Sequence, residues 1–154
     1  DPDGAGPAAA SLVVAGDFRL VAGTPARSIA AWDAAQSTWQ ALGTGIDGTV
    51  YALAARPNGD LVAGGLFATA GGQWVGNVAL WNGASWSVLA VGVDNQVLAL
   101  ATMPNGYVVA GGDFTVASGV AASRLARWDG LSWSALGSGD ERIEMRLVSS
   151  DPIG

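Results

Sequence analysis

The sequence predicts an all-β chain folded as three four-stranded β-propeller blades, and three observations carry that expectation. Phe18, Phe67 and Phe114 recur at intervals of 49 and 47 residues, as do Trp32, Trp81 and Trp128. Trp39, Trp86 and Trp133 recur at 47 and 47, and Leu42, Leu89 and Leu136 keep the same spacing. Pro57-Asn58-Gly59 returns as Pro104-Asn105-Gly106 and, 48 residues later, as Pro152-Ile153-Gly154. A unit of about 47 residues that holds four short segments has the size of one propeller blade.

The middle copy justifies each element in turn. Residues 49–56 are apolar and end at Pro57-Asn58-Gly59-Asp60, a tight-turn sequence. Residues 61–67 form the second segment and are followed by a Gly-rich loop over 68–76. Residues 77–81 form the third, Asn82-Gly83 a hairpin turn, and residues 85–90 the fourth. No stretch has the capped 3.6-residue period of a helix. Naming the strands A (innermost) to D (outermost), the chain reads B-C-D, then A–D twice, then a last A at 145–150. There Met145-Arg146-Leu147-Val148 aligns with Val50-Tyr51-Ala52-Leu53 and Val97-Leu98-Ala99-Leu100. The whole chain, 1–154, reads as one unit, with repeats at about 1–56, 57–103 and 104–154. Three blades are fewer than the 4–8 that close a ring. The expectation is therefore a homodimer of six blades, each C-terminal strand completing the partner's first blade.

Composition narrows the function. Of 154 residues 23 are Gly, half are apolar and 13% are charged, so the chain is not a disordered one. Cys and His are absent and all seven basic residues are Arg. That excludes disulfides, thiol catalysis, zinc or haem held by His or Cys, His bases and Lys Schiff bases. A net charge of −6 without Lys argues against nucleic acid and anionic membranes as partners. No apolar run reaches the 18 residues or so of a bilayer span.

Leu61-Val62-Ala63-Gly64-Gly65, then Val78-Ala79-Leu80-Trp81-Asn82, then Trp86 and Leu89, resembles the kelch repeat. The third copy keeps the pattern as Gly111-Gly112, Trp128-Asp129 and Trp133, while the first has Ala15-Gly16 in place of the diglycine. The phrases Val109-Ala110-Gly111-Gly112-Asp113-Phe114 and Ser132-Trp133-Ser134-Ala135-Leu136-Gly137 are also similar to Gly/Ala-rich propeller repeats of bacterial secreted and surface proteins. The resemblance implies a propeller and a secreted or cell-surface location in a bacterium. It does not imply galactose oxidase chemistry, which needs His and Cys.

Candidate site residues lie in the loops. Gly43-Thr44-Gly45-Ile46-Asp47-Gly48 spells G-x-G-x-x-G, but it joins two strands instead of opening a helix, so no dinucleotide site is expected. Six of the seven Trp residues repeat in register and suit inter-blade packing. Trp74 stands where the other copies have Pro25 and Ala121, and suits either a ligand anchor or loop packing. The D–A loops carry Asp47, Asp94 and Asp140-Glu141, and the B strands end in Asp17 and Asp113, with Leu66 between. These carboxylates would share the mouth of the channel, where oxygen ligands suit Ca²⁺ or Mg²⁺. The same residues also serve as turn formers.

Three functions follow. The first is a non-enzymatic, self-assembling interaction module that presents its loops to a protein, glycan or small molecule. The second is a Ca²⁺-type hydrolase of the propeller lactonase or phosphotriesterase kind. The third is a carbohydrate-binding lectin using Trp74.

Overall fold

A computed structural model describes residues 12–136, and the last expected strand, at 145–150, lies outside them. Every named element is a β-strand. The first sheet holds β1 (Val13–Ala15), β4 (Ile29–Asp33) and β5 (Thr38–Ala41), in the order β1-β4-β5. The second runs β10-β9-β7-β6, from β6 (Ile46–Ala55), β7 (Leu61–Ala70), β9 (Val78–Trp81) and β10 (Trp86–Val88). The third runs β11-β12-β15-β16, from β11 (Val97–Thr102), β12 (Val108–Gly112), β15 (Leu125–Trp128) and β16 (Trp133–Ala135). All pairings are antiparallel. These are the expected meanders: B-C-D in the first blade and A-B-C-D in the next two.

The residues that repeat do so for visible reasons. At each C–D turn one side chain accepts two backbone N–H groups. Asp33 accepts those of Ala35 and Gln36, Asn82 those of Ala84 and Ser85, and Asp129 those of Leu131 and Ser132. At the A–B turns Asn58 and Asn105 each accept the N–H two residues on. Both are Asx turns, in which a short polar side chain replaces a backbone acceptor. Strands β6 and β11 each carry a bulge, and Tyr51 and Leu98 sit there, about half exposed.

The core lies between sheets. One cluster joins Ile29 and Leu42 of the first blade to Ile46, Val50, Ala63, Phe67 and Trp86 of the second. The other joins Val62, Val78 and Leu89 of the second blade to Val97, Leu100, Phe114 and Trp133 of the third. Close approach of the sheets explains Gly64, where an added Cβ would lie 2.6 Å from Val97 Cγ1 of the next blade. The tryptophans pair within each blade, Trp32 with Trp39, Trp81 with Trp86 and Trp128 with Trp133, at centroid separations of 5.2–5.5 Å.

One expectation is corrected. The Gly-rich loop at 68–76 is a β-ribbon, because β7 continues to Ala70 and pairs with β8 (Gln73–Trp74). The other blades repeat it as β2 (Leu20–Val21) with β3 (Thr24–Pro25), and β13 (Val116–Ala117) with β14 (Val120–Ala121). The tips are Ala22-Gly23, Gly71-Gly72 and Ser118-Gly119, all with positive φ at both positions. That is the type I′ geometry, whose twist matches that of the flanking strands.

Candidate functional site

The three B–C ribbons and the D–A loops share one end of the blades, and the A–B and C–D turns share the other. At the ribbon end, the register Leu20↔Pro25, Thr69↔Trp74 and Val116↔Ala121 places Pro25, Trp74 and Ala121 at equivalent positions, as the sequence alignment had them. Trp74 is 65% exposed, whereas Trp86 and Trp133 are 3% and 4% exposed. Leu20, Val116 and Val120 of the neighbouring ribbons, and Val91 of a D–A loop, are exposed as well.

The carboxylates are dispersed among other partners. Asp94 spans the step from its D–A loop to the third ribbon. Its Oδ1 accepts the N–H groups of Thr115 (2.8 Å) and Val116 (2.9 Å), and its Oδ2 accepts the Thr115 hydroxyl (2.9 Å). Partial burial disfavours its charge, but those donors together outweigh that and hold its pKa below the ordinary aspartate value. Asp47 is exposed and lies 4.0 Å from Arg27 Nη1. Asp113 accepts a hydrogen bond from Gln96 Nε2 at 2.6 Å, and Asp17 is exposed on its own loop. Asp140 and Glu141 lie outside the described residues. Among the described residues, no three His, Cys, Asp or Glu side chains come close enough together to hold a metal ion.

The G-x-G-x-x-G stretch runs from the D–A loop into β6. Gly45 has φ +82°, and a Cβ there would lie 2.6 Å from the Arg27 carbonyl, so this glycine serves chain packing. A cleft of about 420 Å³ beside it is lined by Arg27, Thr44, Gly45, Asp47, Thr69 and Gly72.

Two features escaped sequence reasoning. One is the indole-to-carbonyl bond between blades, from Trp86 Nε1 to Leu42 O (2.8 Å) and from Trp133 Nε1 to Leu89 O (3.0 Å). Its signal was the shared Trp and Leu register, but a backbone acceptor leaves no mark of its own in sequence. The other is a backbone bond between the first two blades, in which the carbonyl of Gly16 accepts the N–H of Val50 of β6 at 3.0 Å.

Blades of four antiparallel strands, stacked face to face about an inner strand, define a β-propeller unit. Residues 5–147 match the family model described as the Rax2 C-terminal beta propeller domain, and the chain belongs to that family. None of the curated proteins compared with the chain matches it. The likeness to kelch repeats rests on the diglycine and tryptophan pattern alone.

Proposed function

We propose that this chain is a non-catalytic interaction module that binds a protein through the ribbon end of its blades. The observation that carries the reading is Trp74, exposed on a two-residue strand while the six in-register tryptophans pair within their blades. A rigid two-stranded ribbon holds the indole outward at little conformational cost. Leu20, Val91, Val116 and Val120 add apolar surface at the same end. Solitary exposed Trp residues beside apolar neighbours are the usual anchors of protein interfaces. Catalysis has less support, since the chain has no His or Cys and Asp94 is spent on loop capping.

The test is selection of peptide binders from a displayed library against the intact chain. Binders are expected to lose roughly 30-fold in affinity on Trp74→Ala, the equivalent of about 2 kcal/mol for an anchor residue. They should be indifferent to Leu131→Ala, which alters an exposed residue at the opposite end. Binders indifferent to Trp74→Ala, or a glycan array that binds where peptides do not, would contradict the reading.

A further inference from the structure

The base of each ribbon uses the same backbone bond. Ala26 N–H donates to Arg19 O (3.0 Å), Val75 N–H to Ala68 O (2.8 Å) and Ala122 N–H to Thr115 O (3.0 Å). One residue further on, the first blade has Arg27 where the others have Gly76 and Ser123. Ala with Gly, or Thr with Ser, therefore closes this base as well as two arginines do. The fold does not account for Arg19 and Arg27, and both are exposed.

Their guanidinium groups are also unengaged. Arg56 donates to Gly106 O and pairs with Asp60, and Arg127 lies over the Tyr107 ring. Arg19 and Arg27 make no side-chain hydrogen bond among the described residues. The carboxylate facing Arg27 is that of Asp47, at 4.0 Å, with the two side chains 57% and 70% exposed. That is beyond hydrogen-bond reach, and an exposed pair of this kind contributes little.

The backbone beneath Arg27 is fixed, because its carbonyl accepts the Ile46 N–H of the second blade's inner strand at 3.0 Å. Gly45 lines the cleft of about 420 Å³ there without filling it. A second cleft, of about 270 Å³, adjoins the first: Arg27 and Thr44 line both, and Arg19 lines the second. Across the first cleft stands Thr69 of the second ribbon, paired with Trp74. Directly opposed residues of an antiparallel pair share one face, so Trp74 rises from the same ribbon face as Thr69. Two guanidinium groups and an exposed indole thus border one groove.

We propose, on the basis of the ribbon-end reading, that this groove takes one acidic side chain, Asp or Glu, of the partner peptide. Arg27 and Arg19 bind its carboxylate while an apolar residue of the same peptide lies on Trp74. A guanidinium gives a carboxylate two parallel N–H bonds, and the Thr44 hydroxyl beside it is a further donor. The net charge of −6 disfavours a run of acids, so a single carboxylate next to an apolar residue suits this surface. Asp47 competes with the incoming carboxylate for Arg27 and so limits the affinity.

The probe is the set of displayed-library binders of the intact chain, resynthesised with N-acetyl and C-amide caps so that no terminal carboxylate remains. They are expected to carry Asp or Glu beside an apolar residue. Changing that acid to its amide should weaken binding about tenfold, the scale of one charge-assisted hydrogen bond. The same change should have no effect on binding to Arg27→Gln and a smaller effect on binding to Arg19→Gln. Asp47→Asn should bind the acidic peptides several-fold more tightly. Melting temperatures should be unchanged in all three variants, since Gly76 and Ser123 already replace Arg27 in the other blades. Binders that lack an acid yet lose affinity on Trp74→Ala would overturn this inference and leave the ribbon-end reading standing. So would Lys- or Arg-bearing binders that Asp47→Asn weakens. Binders indifferent to Trp74→Ala would overturn both.

Discussion

The Trp86 indole reaches from the second blade to the first and donates its Nε1–H to the carbonyl of Leu42 at 2.8 Å. The same carbonyl accepts the N–H of Gly45 at 3.1 Å, where the chain turns from strand D toward the next inner strand. Trp133 and Leu89 repeat the bond at 3.0 Å, and Gly92 repeats the second donor at 3.0 Å. One residue thus ties the outer wall of a blade to the connection through which the chain enters that blade. Trp86→Phe keeps most of the ring but removes the donor. The loss of a buried hydrogen bond should lower stability by about 1–3 kcal/mol, and Trp133→Phe should cost a similar amount. Trp39→Phe should cost less, because Trp39 is only half buried. Urea unfolding of the three variants measures the difference.

The Asp94 cap makes stability depend on pH. Its pKa is lowered in the folded state, so its contribution is present above the ordinary value of 3.8 and fades as pH falls through the folded value. Asp94→Asn keeps an acceptor but no charge. The stability difference between the original chain and Asp94→Asn should therefore be largest near neutral pH and shrink below about pH 4. Thermal melts from pH 7 to pH 3 give that difference directly. A gap that stays constant over this range would show that the carboxylate charge contributes nothing to the cap.

Ala22 closes the first ribbon with φ +48°, in a region that costs an alanine roughly 1–2 kcal/mol. The following Gly23, at φ +84°, already suits the type I′ turn. Ala22→Asn converts the tip to Asn-Gly, the preferred pair for this geometry, and should raise stability by about 1 kcal/mol. A melting temperature unchanged or lowered by the substitution would count against the I′ assignment.

The strand order of each blade was legible in the sequence because turn chemistry and tryptophan spacing repeat together. Asn82-Gly83 and Pro57-Asn58-Gly59 mark real turns, and the segments between them are the strands found. The ribbons were not legible. Strands of two residues show no alternation, and Gly71-Gly72 reads equally as a flexible loop or as a I′ tip. For the site, sequence placed Trp74 opposite Pro25 and Ala121, and the register Thr69↔Trp74 agrees. It did not reveal that Asp94 would turn toward Thr115 and Val116, because an Asp beside a turn looks the same whether it caps the backbone or faces a cation. Gly16 was visible only as a departure from a diglycine. Its bond to the Val50 N–H of the second blade needed the structure, because a backbone acceptor leaves no mark in sequence.

The central claim is a division of labour among the tryptophans, with the repeated ones holding the blades together and Trp74 left free to contact a partner. Melting temperatures of Trp74→Ala and Trp86→Ala, measured side by side on the full chain, test it most directly. Trp86→Ala removes a buried ring and an inter-blade hydrogen bond and should cost about 3–5 kcal/mol, a fall of roughly 6–20 °C. Trp74→Ala removes an exposed ring and should shift the midpoint by no more than about 2 °C, the scale of a surface substitution. Equal losses for the two variants would make Trp74 a structural residue and contradict the account.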